Sequence, residues 1–209
     1  MNQDEQDQAA EPDWQGYYKW IEGREPRPLF LDALARFDAN VEDGFQQHAI
    51  DLGCGDGTET LALLEAGWSV LAIDGEPAAI KHVLSEAPDE HRPRLKTLTA
   101  AFDDLQLPET DFIYAGYSLP FCGPDCFDGL WLKITGSIQP GGRFSGQFFG
   151  IRDTWAGNPE MTFHSAEQVT ALLEQAFDIE TLEEMDEDGD AFSGPKHWHL
   201  FDIIARKLL

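Results

Sequence analysis

The sequence predicts an α/β fold, a single doubly wound domain in which one largely parallel sheet is covered by helices on both faces. Three observations carry this. Apolar segments of strand length alternate with segments of helical period from residue 49 onward. Proline and glycine stand where those helices should begin and end. No internal repeat or linker divides the 209 residues, 42% of which are hydrophobic, enough for one sizeable core.

Residues 1 to 13 are polar and acidic, offer nothing to bury and are expected to be disordered, which leaves 14–209 as the domain. From Pro28 the run Leu29, Phe30, Leu31, Leu34, Ala35 and Phe37 has helical spacing, with Pro26 and Pro28 suited to the entrance. Ala49 to Leu52 reads as a short buried strand, Glu59 to Ala66 as a helix stopped by Gly67, and Trp68 to Ile73 as the next strand. Pro77 opens a helix through Ala78, Ala79, Ile80, Val83 and Leu84 that must end before Pro88. Leu95 to Ala101 and Phe112 to Tyr117 are further strands, and Phe127 to Ile138 has helical periodicity. Pro140-Gly141-Gly142 then reads as a turn into the strand Arg143 to Phe149. After an irregular loop, Ile151 to Phe163, Ser165 caps a helix over Ala166 to Ala176. Two closing strands, Phe177 to Leu182 and Trp198 to Ala205, flank the acidic run Glu183 to Asp190, which is expected to be a solvated loop.

Composition excludes several functions. With 39 acidic against 14 basic side chains the formal charge is −25, a field that repels phosphate backbones and anionic lipid. Neither nucleic acid nor membrane is expected as a partner. The opening residues have no basic or apolar leader region, and no segment approaches the roughly 18 apolar residues of a membrane span. Three cysteines are too few and odd in number for a disulfide framework, so a cytoplasmic protein is expected. Cys122 and Cys126 stand four apart with no third or fourth ligand at zinc-like spacing, and no metal is expected.

In such a sheet, ligands bind beyond the carboxyl ends of the strands. The first strand ends in Asp51-Leu52-Gly53-Cys54-Gly55-Asp56-Gly57-Thr58, where alternate glycines permit a sharp turn and a close ligand. A dinucleotide loop requires glycine where Thr58 stands, and Asp51 and Asp56 beside a pyrophosphate would repel it. Both carboxylates favour a ligand bearing an ammonium or sulfonium. The second strand ends in Asp74, which can accept two hydrogen bonds from ribose hydroxyls.

This ordered set resembles the class I S-adenosylmethionine-dependent methyltransferases. The Asp51 to Gly57 loop, the Asp74 strand end, the Pro140-Gly141-Gly142-Arg143 turn and the closing His197 to Ala205 segment carry the resemblance, from about Ala49 to the C-terminus. It implies a Rossmann-like seven-stranded sheet with a C-terminal antiparallel hairpin. It also implies S-adenosylmethionine as cofactor. Carried over residue by residue, Asp51, Gly53, Cys54, Gly55 and Gly57 would line the methionine portion, and Asp74 with Gly75 would hold the ribose. Phe102 would pack on the adenine with Asp103 or Asp104 at its amino group, and Gly116 with Tyr117 would border the transferring methyl.

The segment Ala115 to Cys122 lacks both the Asn/Asp-Pro-Pro-aromatic motif of amino-group methylases and the Pro-Cys nucleophile of cytosine methylases. A small-molecule acceptor is therefore expected, as in tellurite-resistance-type relatives. Should the acceptor atom start protonated, His164, Asp153 or Tyr117 could take its proton. The aromatic segment Trp14 to Trp20 suggests a lid over the cofactor, with Arg24 pairing its carboxylate. A non-catalytic cofactor-binding regulatory protein and a nucleotide-dependent oxidoreductase are the rival readings, and a monomer or homodimer is expected.

Overall fold

The structure is a computed structural model that describes residues 13–37 and 46–209. The expected disordered segment therefore lies outside the described residues except for Asp13, whose carboxylate caps the first helix by accepting from Gly16 N at 2.9 Å. That helix, α1 (Trp14–Trp20), was not expected as an element. It is followed by α2 (Pro28–Ala35), β1 (His48–Leu52), α3 (Thr58–Glu65), β2 (Ser69–Asp74), α4 (Pro77–Glu86), β3 (Leu95–Thr99) and β4 (Thr110–Ala115). The second half runs α5 (Pro124–Ser137), β5 (Ile138–Gly150), the two-residue β6 (Phe163–His164), α6 (Ala166–Glu174), β7 (Phe177–Ala191) and β8 (Gly194–Lys207).

The main sheet has the order β3-β2-β1-β4-β5-β8-β7, with β6 paired to the end of β5. Strands β3 to β5 are mutually parallel, while β8 runs antiparallel to both β5 and β7. The seven-stranded plan with its reversed C-terminal hairpin is as expected. Because β1 is followed outward by β2 on one side and by β4 on the other, the chain reverses its winding direction between β1 and β4. The carboxyl ends of those two strands form the crevice where such sheets take ligands.

Strand periodicity divides the core into two layers. On one face Ile50 and Leu52 of β1 pack with Ile113, Phe144 and Phe148 beneath α5 and α6. Trp131 of α5 meets Phe144 and Phe148 edge-on, with ring centroids 5.1 and 5.3 Å away. On the other face Ala49, Phe112 and Tyr114 pack under α2 and α3, and the fully buried Phe30 lies edge-on against Tyr114 at 5.1 Å. No helix among the described residues is long and apolar enough to cross a membrane.

Three sequence expectations are corrected. The acidic run Glu183 to Asp190 is strand, not loop: β7 continues to Ala191 in register with β8 and turns through Phe192 and Ser193. It is the outer edge of the sheet, so its carboxylates stay in water while the backbone ladder forms, and charge there also discourages further strand pairing. Arg152 bridges Glu184 and Asp186 across it. The Pro140-Gly141-Gly142 turn is a distortion within β5: Gly141 has φ +82, and the β4–β5 register shifts between Thr110 and Phe112. A Cβ on Gly142 would fall 2.5 Å from the Asp111 carbonyl oxygen, which explains the glycine. Finally, β4 ends at Ala115, so Gly116 and Tyr117 belong to the loop beyond it.

Candidate functional site

Beyond β1 the backbone turns through three left-handed glycines, Gly53 (φ +78), Gly55 (φ +53) and Gly57 (φ +77). The turn is packed as well as bent. A Cβ at Gly53 would lie 2.3 Å from Ser118 Cβ, so β4's following loop closes directly on it. Asp74, at the end of β2, ties the turn down: its two carboxylate oxygens accept from Gly55 N and Glu76 N, each at 2.8 Å. Burial raises the Asp74 carboxyl above the usual carboxylate range. Asp51 is buried beneath the loop and accepts from Thr60 Oγ1 at 2.6 Å. Its burial, reinforced by the charge of Glu59, pushes its pKa up to about 7.

Tyr117 is the one non-glycine residue with positive φ among the described residues, at +58. Such strain persists where surrounding contacts impose it. Here the Tyr117 N–H donates to Gln147 Oε1 at 3.1 Å, and Gln147 Nε2 donates to Asp202 Oδ1 at 2.7 Å. From above, the Arg27 guanidinium sits 4.9 Å from the ring centroid.

These strand ends open on one cavity of about 960 Å³, near the upper end of the ~300–1,000 Å³ usual for ligand sites. Its two ends differ in character. Asp51, Gly53, Cys54, Gly55, Asp74, Gly75 and Phe102 line one, while Tyr117, Phe121, Phe149, Trp155, Phe192 and Trp198 line the other. Helix α1 forms part of the wall through Trp14, Tyr17 and Tyr18. The Tyr18 hydroxyl donates to Asp74 at 3.4 Å, and a Cβ on Gly55 would come within 3.3 Å of the Tyr18 ring.

Arg24 lines the cavity too, but it is not free. Its Nη1 and Nη2 form a two-pronged bond to Glu59 at 2.6 and 2.5 Å, and Nη2 also reaches Asp56 at 3.1 Å. Burial opposes its charge, yet the bonds to Glu59 more than offset this and hold its pKa above the ordinary value. Its Nε is buried without a partner among the described residues.

Gly116 also lines the cavity, but four expected site residues do not. Gly57 is the N-cap of α3. Asp103 lies in a short 3₁₀ turn, where its carbonyl accepts from Lys133. His164 is wedged between Phe127 and Phe148, with ring centroids 4.6 and 5.1 Å away, and burial pushes its pKa down to about 4. Asp153 is buried 2.7 Å from Lys196 Nζ and accepts from Trp155 N and His199 N, so it orders the loop behind the cavity. Sequence reasoning missed Lys196, whose ammonium lies 3.4 and 3.8 Å from the ring centroids of Trp155 and Trp198. It also missed Gln147 and the turn residue Phe192, because all three act through pairings that a linear reading does not show.

A largely parallel sheet wound in this order, closed by a reversed hairpin and carrying a glycine loop beside an acidic second strand end, defines the class I S-adenosylmethionine-dependent methyltransferase fold. The comparisons agree: residues 50–144 match the model of a family described as a methyltransferase domain. Residues 50–144 of the chain are thus similar to a methyltransferase domain, within the fold of the S-adenosylmethionine-dependent methyltransferases. No curated protein matches it significantly. Among solved structures it is similar to 1,6-didemethyltoxoflavin-N1-methyltransferase of Burkholderia thailandensis, with 19% identity, 93% of this chain and 85% of that one covered, and TM-score 0.66. It is also similar to TehB of Haemophilus influenzae, with 14% identity, 93% and 67% covered, and TM-score 0.71. Magnesium protoporphyrin IX methyltransferase of Synechocystis, solved with bound S-adenosylmethionine, shows 15% identity, 92% and 80% covered, and TM-score 0.62.

Proposed function

We propose that the cavity takes S-adenosylmethionine at its glycine-loop end and a small-molecule methyl acceptor of the cytoplasm at its aromatic end. The observation that carries this reading is the continuity of the two ends: Asp51, Gly53, Gly55 and Asp74 share one cavity with the aromatic wall. The donor set fits the cofactor. Asp74 offers carboxylate oxygens suited to ribose hydroxyls, and Asp51 offers a buried carboxylate suited to an ammonium. Gly53 and Gly55 bring bare backbone to the cavity wall, packed from outside by Ser118 and Tyr18. The orphaned Nε of Arg24 is a donor suited to a carboxylate, while its other nitrogens stay on Glu59 and Asp56.

When bound, the cofactor supplies a methyl group on a sulfonium. The protein's own contribution is to position and to exclude water. Tyr117, fixed by Gln147, stands at the junction of the two ends, and Tyr18 and Trp14 wall the opening. Small-molecule acceptors of the similar methyltransferases from Burkholderia and Synechocystis support the choice of acceptor class. Calorimetric titration with S-adenosylhomocysteine tests the reading, with NAD as the control. One-to-one binding of the former alone is expected, and preferential binding of NAD would replace the methyltransferase reading with an oxidoreductase.

A further inference from the structure

We infer that the acceptor is a flat aromatic molecule carrying no negative charge, and that its reacting atom is a nitrogen with a free lone pair at neutral pH. This rests on the proposed methyl transfer and specifies its second substrate. The first observation is the wall itself. Phe149, Trp155 and Trp198 form a mutually packed group with centroids 5.9 to 6.0 Å apart, and Tyr117 and Phe121 extend it at 6.1 and 6.4 Å. The rings touch one another at steep angles and so form a continuous aromatic wall on which a planar ring can stack.

The second observation is electrostatic. Both arginines at the cavity are committed, Arg24 to Glu59 and Asp56, and Arg27 to Glu59. Lys196 stands behind the rings against Asp153. With Asp56 and Glu59 spent on those arginines, the lining still presents Asp51, Asp74 and Glu76, and beyond the Arg24 Nε assigned to the cofactor it offers no unpaired cationic donor among the described residues, so a carboxylate, phenolate or thiolate acceptor gains no partner and meets like charge. A cation meets no such penalty, because Asp51, Asp74 and Glu76 line the same cavity and Asp153 offsets the Lys196 ammonium behind the rings.

The third observation concerns proton transfer. Among the described residues at the aromatic end, beside the always-charged Arg27, the candidate base is Tyr117, whose hydroxyl burial pushes above its ordinary pKa, which unsuits it as a base. The acceptor must bring its own lone pair. That pair forms the new C–N bond as the carbon–sulfur bond breaks, the bonding electrons stay on sulfur, and the positive charge passes to the nitrogen, where ring faces stabilise it.

The test uses the full chain and three probes built on the same fused bicyclic frame: isoquinoline, 2-naphthol and 2-naphthoate. Calorimetry first establishes S-adenosylhomocysteine binding; its absence would overturn the methyl-transfer reading and this inference with it. With that ligand bound, tryptophan fluorescence should report isoquinoline binding roughly tenfold or more tighter than 2-naphthoate. With S-adenosylmethionine, mass spectrometry should show N-methylisoquinolinium forming faster than the methyl ether of naphthol. Equal or tighter binding of 2-naphthoate, or faster methylation of 2-naphthol, would overturn the inference while the cofactor site stands. Trp155→Leu should weaken isoquinoline roughly tenfold without changing S-adenosylhomocysteine affinity. If that variant does not fold, Phe121→Leu reads the same wall from another element, and unchanged isoquinoline affinity in a folded variant refutes the wall's role.

Discussion

Asp74 shows how one carboxylate can build a site and serve it. Its oxygens hold the Gly55 and Glu76 backbone, yet each keeps lone-pair capacity, and Tyr18 rests on it at hydrogen-bond distance. In Asp74→Ala, S-adenosylhomocysteine should bind more weakly by about 1.5 to 3 kcal/mol, the range for a hydrogen bond to a charged group, as read by calorimetry. Asp51 gives a pH signature. Its carboxyl is held at about 7, and an ammonium ligand prefers the ionised form, so affinity should rise with pH up to about 7 and level off above it. Below that, each pH unit should cost up to about tenfold. Titrations across this window should show the slope in the parent and a flat profile in Asp51→Asn. At this scale the sequence located cavity-lining residues where the site follows chain order, as in the glycine loop and Asp74. It misled at His164 and Asp153, which flank an irregular loop and so looked exposed. One is in fact wedged among phenylalanines, and the other neutralises Lys196.

Among the elements, α1 and the β7–β8 hairpin carry what the sequence concealed. Seven residues of α1 have too little length for a periodic signal, and their aromatics face a cavity made by distant strands. The acidic stretch of β7 lacks strand propensity and is strand because β8 offers it a ladder. The helices and parallel strands were legible because each buries a face and therefore repeats its apolar residues. Helix α1 lies outside the packed core clusters, so deleting residues 1–21 should leave a cooperative melt while reducing S-adenosylhomocysteine affinity roughly tenfold through loss of Tyr18 and Trp14. Undiminished affinity would make α1 mere packing. The loop after β5 hangs instead on the buried Lys196–Asp153 pair. Lys196→Met strands a buried carboxylate, and about 3 to 5 kcal/mol of stability should be lost. Adding Asp153→Leu should restore part of it, as thermal or denaturant unfolding would show.

Across the whole molecule, the winding reversal between β1 and β4 decides where chemistry can occur, and the C-terminal hairpin decides what surrounds it. The parallel half supplies polar strand ends, Asp51 and Asp74, while β5, β8 and their loops supply Phe149, Trp155 and Trp198. A net charge of −25 surrounds the molecule with a negative field, in keeping with the carboxylates that line the cavity among the described residues. The central claim is that these two halves meet at one site, with the cofactor on the first and the acceptor on the second. A crystal structure of the full chain with S-adenosylhomocysteine measures this directly. Ribose hydroxyls on Asp74, the methionine portion along Gly53 to Gly55 near Asp51, and sulfur facing the Tyr117 side of the aromatic wall are expected. The ligand seated elsewhere, or with its ribose away from Asp74, would contradict it.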